Sequence, residues 1–68
     1  MLSRLSAREH EVMLLVVEGL RNKEIAGQLK MSEKTVKVHM QSIFRKLAIR
    51  NRTTLAVLVA HMSAPQNL

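Results

Sequence analysis

Between Ser32 and Leu47 the apolar residues Val36, Met40, Ile43 and Leu47 recur at intervals of four, three and four. At about 100° per residue they fall within roughly 40° of one line along a helix, which is the geometry of a core-facing stripe. Phe44 lies at one edge of the stripe and His39 at the other, while Lys34, Lys37, Val38, Gln41, Ser42 and Arg45 take the opposite side. That outer side carries no acid. A helix with an apolar back and a cationic front restricts the fold more than any other segment, because other elements must cover its back.

Those other elements also read as helices. Val, Ile and Thr are plentiful but do not alternate with polar residues, as half-buried strands require. Ser6-x-x-Glu9 is a capping box that opens a helix over about 6–18, through Val12, Met13, Leu15, Val16 and Val17. Gly19 ends it. Asn22 is the expected cap of a second helix over about 23–29, with Ile25, Ala26 and Leu29 facing inward. Gly27 within it marks either close packing or an exposed, tolerant position. Ser32 caps the third helix, 33–47. Residues 48–52 connect it to a fourth, about 54–62, capped by Thr53 or Thr54. The tail, about 63–68, is expected to fray. The pattern predicts an all-α, four-helix bundle with a central helix-turn-helix, as one domain over residues 1–68.

A core in 68 residues is marginal, so each helix must contribute an apolar face. Cysteine is absent, which removes disulfides and thiolate metal sites. His10, His39 and His61 lack paired ligand spacing, the serines mostly precede helices, and no glycine-rich phosphate loop exists. No enzyme, metal or cofactor is expected. The longest apolar runs, Val12–Val17 and Leu55–Ala60, are six residues each and cannot span a bilayer. With no signal-peptide core, the chain reads as cytoplasmic. Its single aromatic, Phe44, leaves little for stacking on splayed bases.

The net charge of +6 is unevenly placed. Residues 21–52 hold nine Lys or Arg against two Glu, whereas 1–20 carry two Arg against three Glu and 53–68 carry no charged residue of these types. A localised basic stretch suits a polyanion partner; the plainer alternative is a solvated basic face. An α-helix fits the major groove of duplex DNA, where Lys reaches guanine acceptors, Gln pairs with adenine and a small apolar side chain touches the thymine methyl. Lys37, Gln41 and Val38 supply that set, although a lone exposed valine is ordinary in itself. Arg45, on the same front, suits the phosphate backbone. Lys23 and Lys34 sit in the first turns of their helices, where the helix dipole disfavours cations unless an anion binds there; Glu24 and Glu33 beside them are the competing explanation.

Three segments, LSAREHEVMLLVVEGLRNKEIAGQL, SEKTVKVHMQSIFRKL and IRNRTTLAV, resemble in order and spacing the C-terminal DNA-binding domain of the LuxR/FixJ/NarL family of bacterial transcription regulators. The likeness covers about residues 5–60. Ala7 stands where proline is frequent and Arg21 where serine is frequent. The resemblance implies that Lys37, Val38 and Gln41 approach base edges. It also implies that Lys23, Lys34, Thr35 and Lys46 lie near phosphates. His39 matches a family histidine used for phosphate contact or for packing.

The fourth helix reads Leu-Ala-Val-Leu-Val-Ala over 55–60, apolar all round, so a small bundle leaves part of it uncovered. The resemblance implies a homodimer paired through it, which places Val57, Leu58 and His61 at the interface. Alternatively this face rests on a regulatory domain, or the protein meets RNA polymerase. With no aspartate in the chain, a receiver-type phosphoacceptor is missing from it. The expected function is sequence-specific duplex-DNA binding by the effector domain of a two-component or ligand-sensing regulator. The alternatives are a sigma-factor-like promoter-reading segment and a basic helical protein-interaction module.

Overall fold

The computed structural model describes residues 4–63, and among them four α-helices and no strand. These are α1 (Ala7–Val17), α2 (Asn22–Leu29), α3 (Glu33–Leu47) and α4 (Arg52–Ser63). The expected bundle is therefore present, with α3 packed against α1 and α2, and α4 packed against α1. Its core draws Val12, Met13 and Val16 from α1, Ile25 and Ala26 from α2, the whole predicted stripe Val36, Met40, Ile43 and Leu47 from α3, and Leu55 and Val59 from α4.

Local chemistry fixes the helix ends. The Glu9 backbone N–H donates to Ser6 Oγ at 3.1 Å, and the Ser6 N–H donates to Glu9 Oε1 at 2.8 Å, completing the expected capping box. At the other end Gly19 has φ +91°, the Leu20 N–H reaches the Leu15 carbonyl and the Gly19 N–H reaches that of Val16. That Schellman closure needs the left-handed residue which glycine supplies.

Two expected caps are displaced by one to three residues. Asn22 is the first residue of α2 rather than its cap. The preceding Arg21 is extended, and its N–H donates to the Glu24 carboxylate at 2.7 Å. The Asn22 side chain has gone elsewhere, accepting from Arg52 Nη1 at 2.7 Å. Neither Thr53 nor Thr54 caps α4; Asn51 Oδ1 accepts the Thr54 N–H at 2.8 Å, so the helix begins at Arg52. Asparagine competes well with threonine at this role, and sequence pattern alone did not separate them. Of the tail expected to fray, Ser63 is helical and 64–68 lie outside the described residues.

Helices α2 and α3 both end on residues other than glycine in the left-handed region, Lys30 at φ 56° and Ala48 at φ 56°. A Cβ is disfavoured there by about 1 kcal/mol. Gly27 is the converse, a helical glycine with nothing within 4 Å of where a Cβ would stand. Ala48→Gly and Gly27→Ala are each expected to stabilise by about 0.5–1 kcal/mol, raising Tm by roughly 3–8 °C. A thermal melt of each variant checks this, and a fall in Tm would contradict the backbone reading.

Candidate nucleic-acid interface

The turn between α2 and α3 is three residues long, Lys30 to Ser32. Lys30 takes the left-handed conformation that reverses the chain, and Ser32 Oγ accepts the Thr35 N–H at 3.0 Å to start α3. With α2 packed on α3 and the apolar stripe buried, the cationic front of α3 is turned outward.

Lys34, Lys37, Val38, Gln41 and Arg45 are all exposed, and Val38 retains 56% of its accessible surface. By helical angle they form one strip about 100° wide, centred near the midpoint between Gln41 and Arg45. Thr35 is exposed at the start of the strip, its Oγ1 hydrogen-bonded to Ser32 Oγ at 2.9 Å. Lys23 is exposed in the first turn of α2. His39 is half-buried at the edge of the core.

Two residues of α3 have surroundings that the helical repeat does not reveal. Ser42 is half-buried, and the half-buried Lys46 is engaged within the chain. The Lys46 ammonium donates to Glu9 Oε1 at 2.8 Å, and the Glu9 side chain is only 7% exposed. Ser42 and Lys46 lie one turn apart on the same flank of α3, and through Lys46 that flank is bonded to Glu9 of α1. The bond from Lys46, then the nearby Ser42 hydroxyl, then the Ser6 N–H outweigh burial and bring the Glu9 carboxyl from 4.5 down to about 2. Glu9 therefore has two functions: it caps α1 and ties α1 to the back flank of the outward-facing helix.

A second tie fixes the opposite flank. The Arg52 guanidinium donates to Asn22 Oδ1 and to the Leu20 carbonyl oxygen, joining the start of α4 to the start of α2. Beside it an open cleft of about 420 Å³ is bordered by Lys37, Met40, Gln41 and Phe44 of α3, Arg50 and Asn51 of the connector, Arg52 and Asn22. Sequence reasoning counted Arg50 and Arg52 only as part of the basic middle. The IRNRTTLAV segment, which contains both, is the one local signal that points to them.

On α4, Val57 is 58% exposed and His61 is exposed, whereas Leu58 is half-buried against the core. No helix among the described residues is long and apolar enough to cross a membrane, and none of their acidic, histidine or cysteine side chains cluster as a metal site.

The model of the family described as bacterial regulatory proteins, luxR family, matches residues 3–59. The chain is 41% identical over 64 residues, 94% of its length, to the nitrate/nitrite response regulator protein NarP of Escherichia coli K12. It is 46% identical over 57 residues, 84% of its length, to a nitrate/nitrite response regulator protein homolog of Haemophilus influenzae. To the transcriptional regulatory protein LnrK of Bacillus subtilis it is 49% identical over 53 residues, 78% of its length. The matched segments span 30%, 27% and 24% of those three proteins.

Proposed function

The chain belongs to the LuxR family of bacterial regulatory proteins and is a DNA-binding domain of its transcriptional regulators, not an enzyme; from that membership we propose that α3 reads duplex sequence in the major groove while the domain pairs on a two-fold operator. The observation that carries this reading is the exposed strip of Lys34, Lys37, Val38, Gln41 and Arg45, which contains no acid. Lys37, Val38 and Gln41 meet base edges: Lys37 as a donor to guanine, Gln41 as the two-way partner of adenine, Val38 against a thymine methyl. Lys23, Lys34, Thr35 and Arg45 hold the backbone and set the register. Lys46, turned toward Glu9, acts on the duplex chiefly by orienting α3.

The domain is the output end of a two-component or ligand-sensing regulator. Support comes from the relatives named as response regulators, which are more than three times as long as the matched segment. A phosphoacceptor aspartate of such a regulator would lie outside these 68 residues, which contain only glutamate as acid.

Pairing runs through α4, where Val57 and His61 present an uncovered face free of charged Lys, Arg, Asp or Glu neighbours on the same helix beyond Arg52. Two copies joined there carry two α3 helices into successive major grooves. Val57→Asp places a charge in that pairing face. It is expected to cost at least tenfold in affinity for a duplex with two half-sites and nothing for a single half-site, since one copy suffices there. Titrations of both duplexes test it. An equal loss on the two, or none on either, would take Val57 out of the pairing surface.

A further inference from the structure

The cleft beside α3 has a chemistry that the base-reading strip does not exhaust. Its border holds three cations, Lys37, Arg50 and Arg52, and no carboxylate. Like charges gathered at one opening repel unless an anion joins them. Arg52 is already engaged with Asn22 and Leu20, but Arg50 is exposed and makes no hydrogen bond or ion pair among the described residues.

The two asparagines sharpen the point. The Asn22 amide oxygen is taken by Arg52, at 2.7 Å, and the Asn51 amide oxygen by the Thr54 N–H, at 2.8 Å. Each partner is a donor only, so the oxygens are fixed in these positions and the NH2 groups are the ends left over. The cleft therefore offers an ammonium, a guanidinium and two amide NH2 groups, with Gln41 as the one uncommitted side chain able to accept. A rim so short of acceptors suits a ligand that only accepts, and a phosphate oxyanion is such a ligand.

We propose that this cleft is a phosphate-binding site that grips the duplex backbone beside the bases read by α3, with Arg50 as its principal charge. The inference rests on the major-groove reading above. Lys37 and Gln41 belong both to the reading strip and to the cleft border, so a duplex seated on the strip runs a backbone across the cleft. A free phosphorylated small molecule would satisfy the same donors, but it would have no reason to share Lys37 and Gln41 with the strip.

Three variants of the chain test this against preferred and scrambled duplexes at several salt concentrations. Arg50→Ala is expected to weaken both duplexes alike, by roughly tenfold, and to reduce the salt slope by about 0.9 for each copy bound. Arg50→Lys should recover most of that slope. Asn22→Asp keeps the oxygen that receives Arg52 and adds a negative charge in the first turn of α2, so the fold should hold or gain in Tm while DNA affinity falls at least tenfold. Binding lost as Tm is kept separates a ligand contact from a structural part.

Unchanged affinity and slope in Arg50→Ala and Asn22→Asp, with Lys37→Ala still relaxing sequence preference, would overturn the phosphate site alone. A loss confined to one duplex sequence would make Arg50 a base reader and overturn it as well. Inorganic phosphate that shifts the Arg50 side-chain resonances while Arg50→Ala leaves duplex binding unchanged would assign the cleft to a free anion, against the proposal. A parent chain with no preference among duplexes would overturn the underlying reading, and this inference with it.

Discussion

Glu9→Ala lowers Tm by roughly 12–20 °C and leaves the chain near its folding limit at growth temperature. Three losses combine in this expectation. The carboxylate no longer meets Lys46, the Ser6 N–H loses its partner, and a buried side chain is cut back. The lowered carboxyl pKa corresponds to about 2 kcal/mol once the solvent reaching Lys46, 33% exposed, is allowed for. That figure already contains the Ser6 N–H bond, and cutting back the buried side chain adds about 1 kcal/mol. A domain this small has roughly 5 kcal/mol in all, so the variant keeps less than half.

The same group sets the acid limit of the fold. Because the folded-state pKa, about 2, lies below the ordinary 4.5, the stabilisation is complete above pH 4.5 and disappears as pH falls toward 2. Glu9→Gln keeps an oxygen for the Ser6 N–H but cannot titrate. Urea unfolding at neutral pH and near pH 3 should show the parent losing stability on acidification and the Gln variant losing markedly less. Parallel losses in the two proteins would assign the acid sensitivity to another group.

The second large effect is on recognition. Lys37→Ala and Gln41→Ala should each cost about 1–3 kcal/mol on the preferred duplex, a factor of roughly 5 to 150, and much less on scrambled DNA. Sequence preference therefore shrinks. Lys23→Ala should weaken preferred and scrambled duplexes alike, because a phosphate contact carries no base information. Affinities at two salt concentrations distinguish the two classes. Identical behaviour of all three variants would mean that Lys37 and Gln41 do not read bases.

What the sequence disclosed follows from which forces are periodic. The α3 stripe was legible residue by residue, because burying one side of a helix imposes a repeat that any reader can count; Val36, Met40, Ile43 and Leu47 are all buried. The Ser6–Glu9 box and Gly19 were legible because caps act within one turn. Exposure of Lys37, Val38 and Gln41 followed from the same repeat, seen from its outer side. The folded chain places them together on the front of α3, and their contact with base edges is a proposal.

Hidden from the sequence were the pairings that join residues far apart. Lys46 meets Glu9 across 37 positions, and Arg52 meets Asn22 and Leu20 across 30 and 32. Such contacts leave no repeat to count. One of them also explains a misplaced cap. Asparagine prefers helix starts, yet the Asn22 oxygen is taken by Arg52; separately, the Lys46 ammonium is paired with a buried acid. The resemblance to known regulators marked Lys46 as a backbone contact, and only its flank position beside Ser42 hints at a different engagement.

Selection of bound sequences from a pool of random duplexes asks most simply whether the outward face of α3 reads DNA. The enriched duplexes should share one short motif repeated with two-fold symmetry, its half-sites about one helical turn apart, and the motif should blur when Lys37→Ala or Gln41→Ala replaces the parent. A pool that stays random, or a motif that survives both substitutions intact, would contradict the reading.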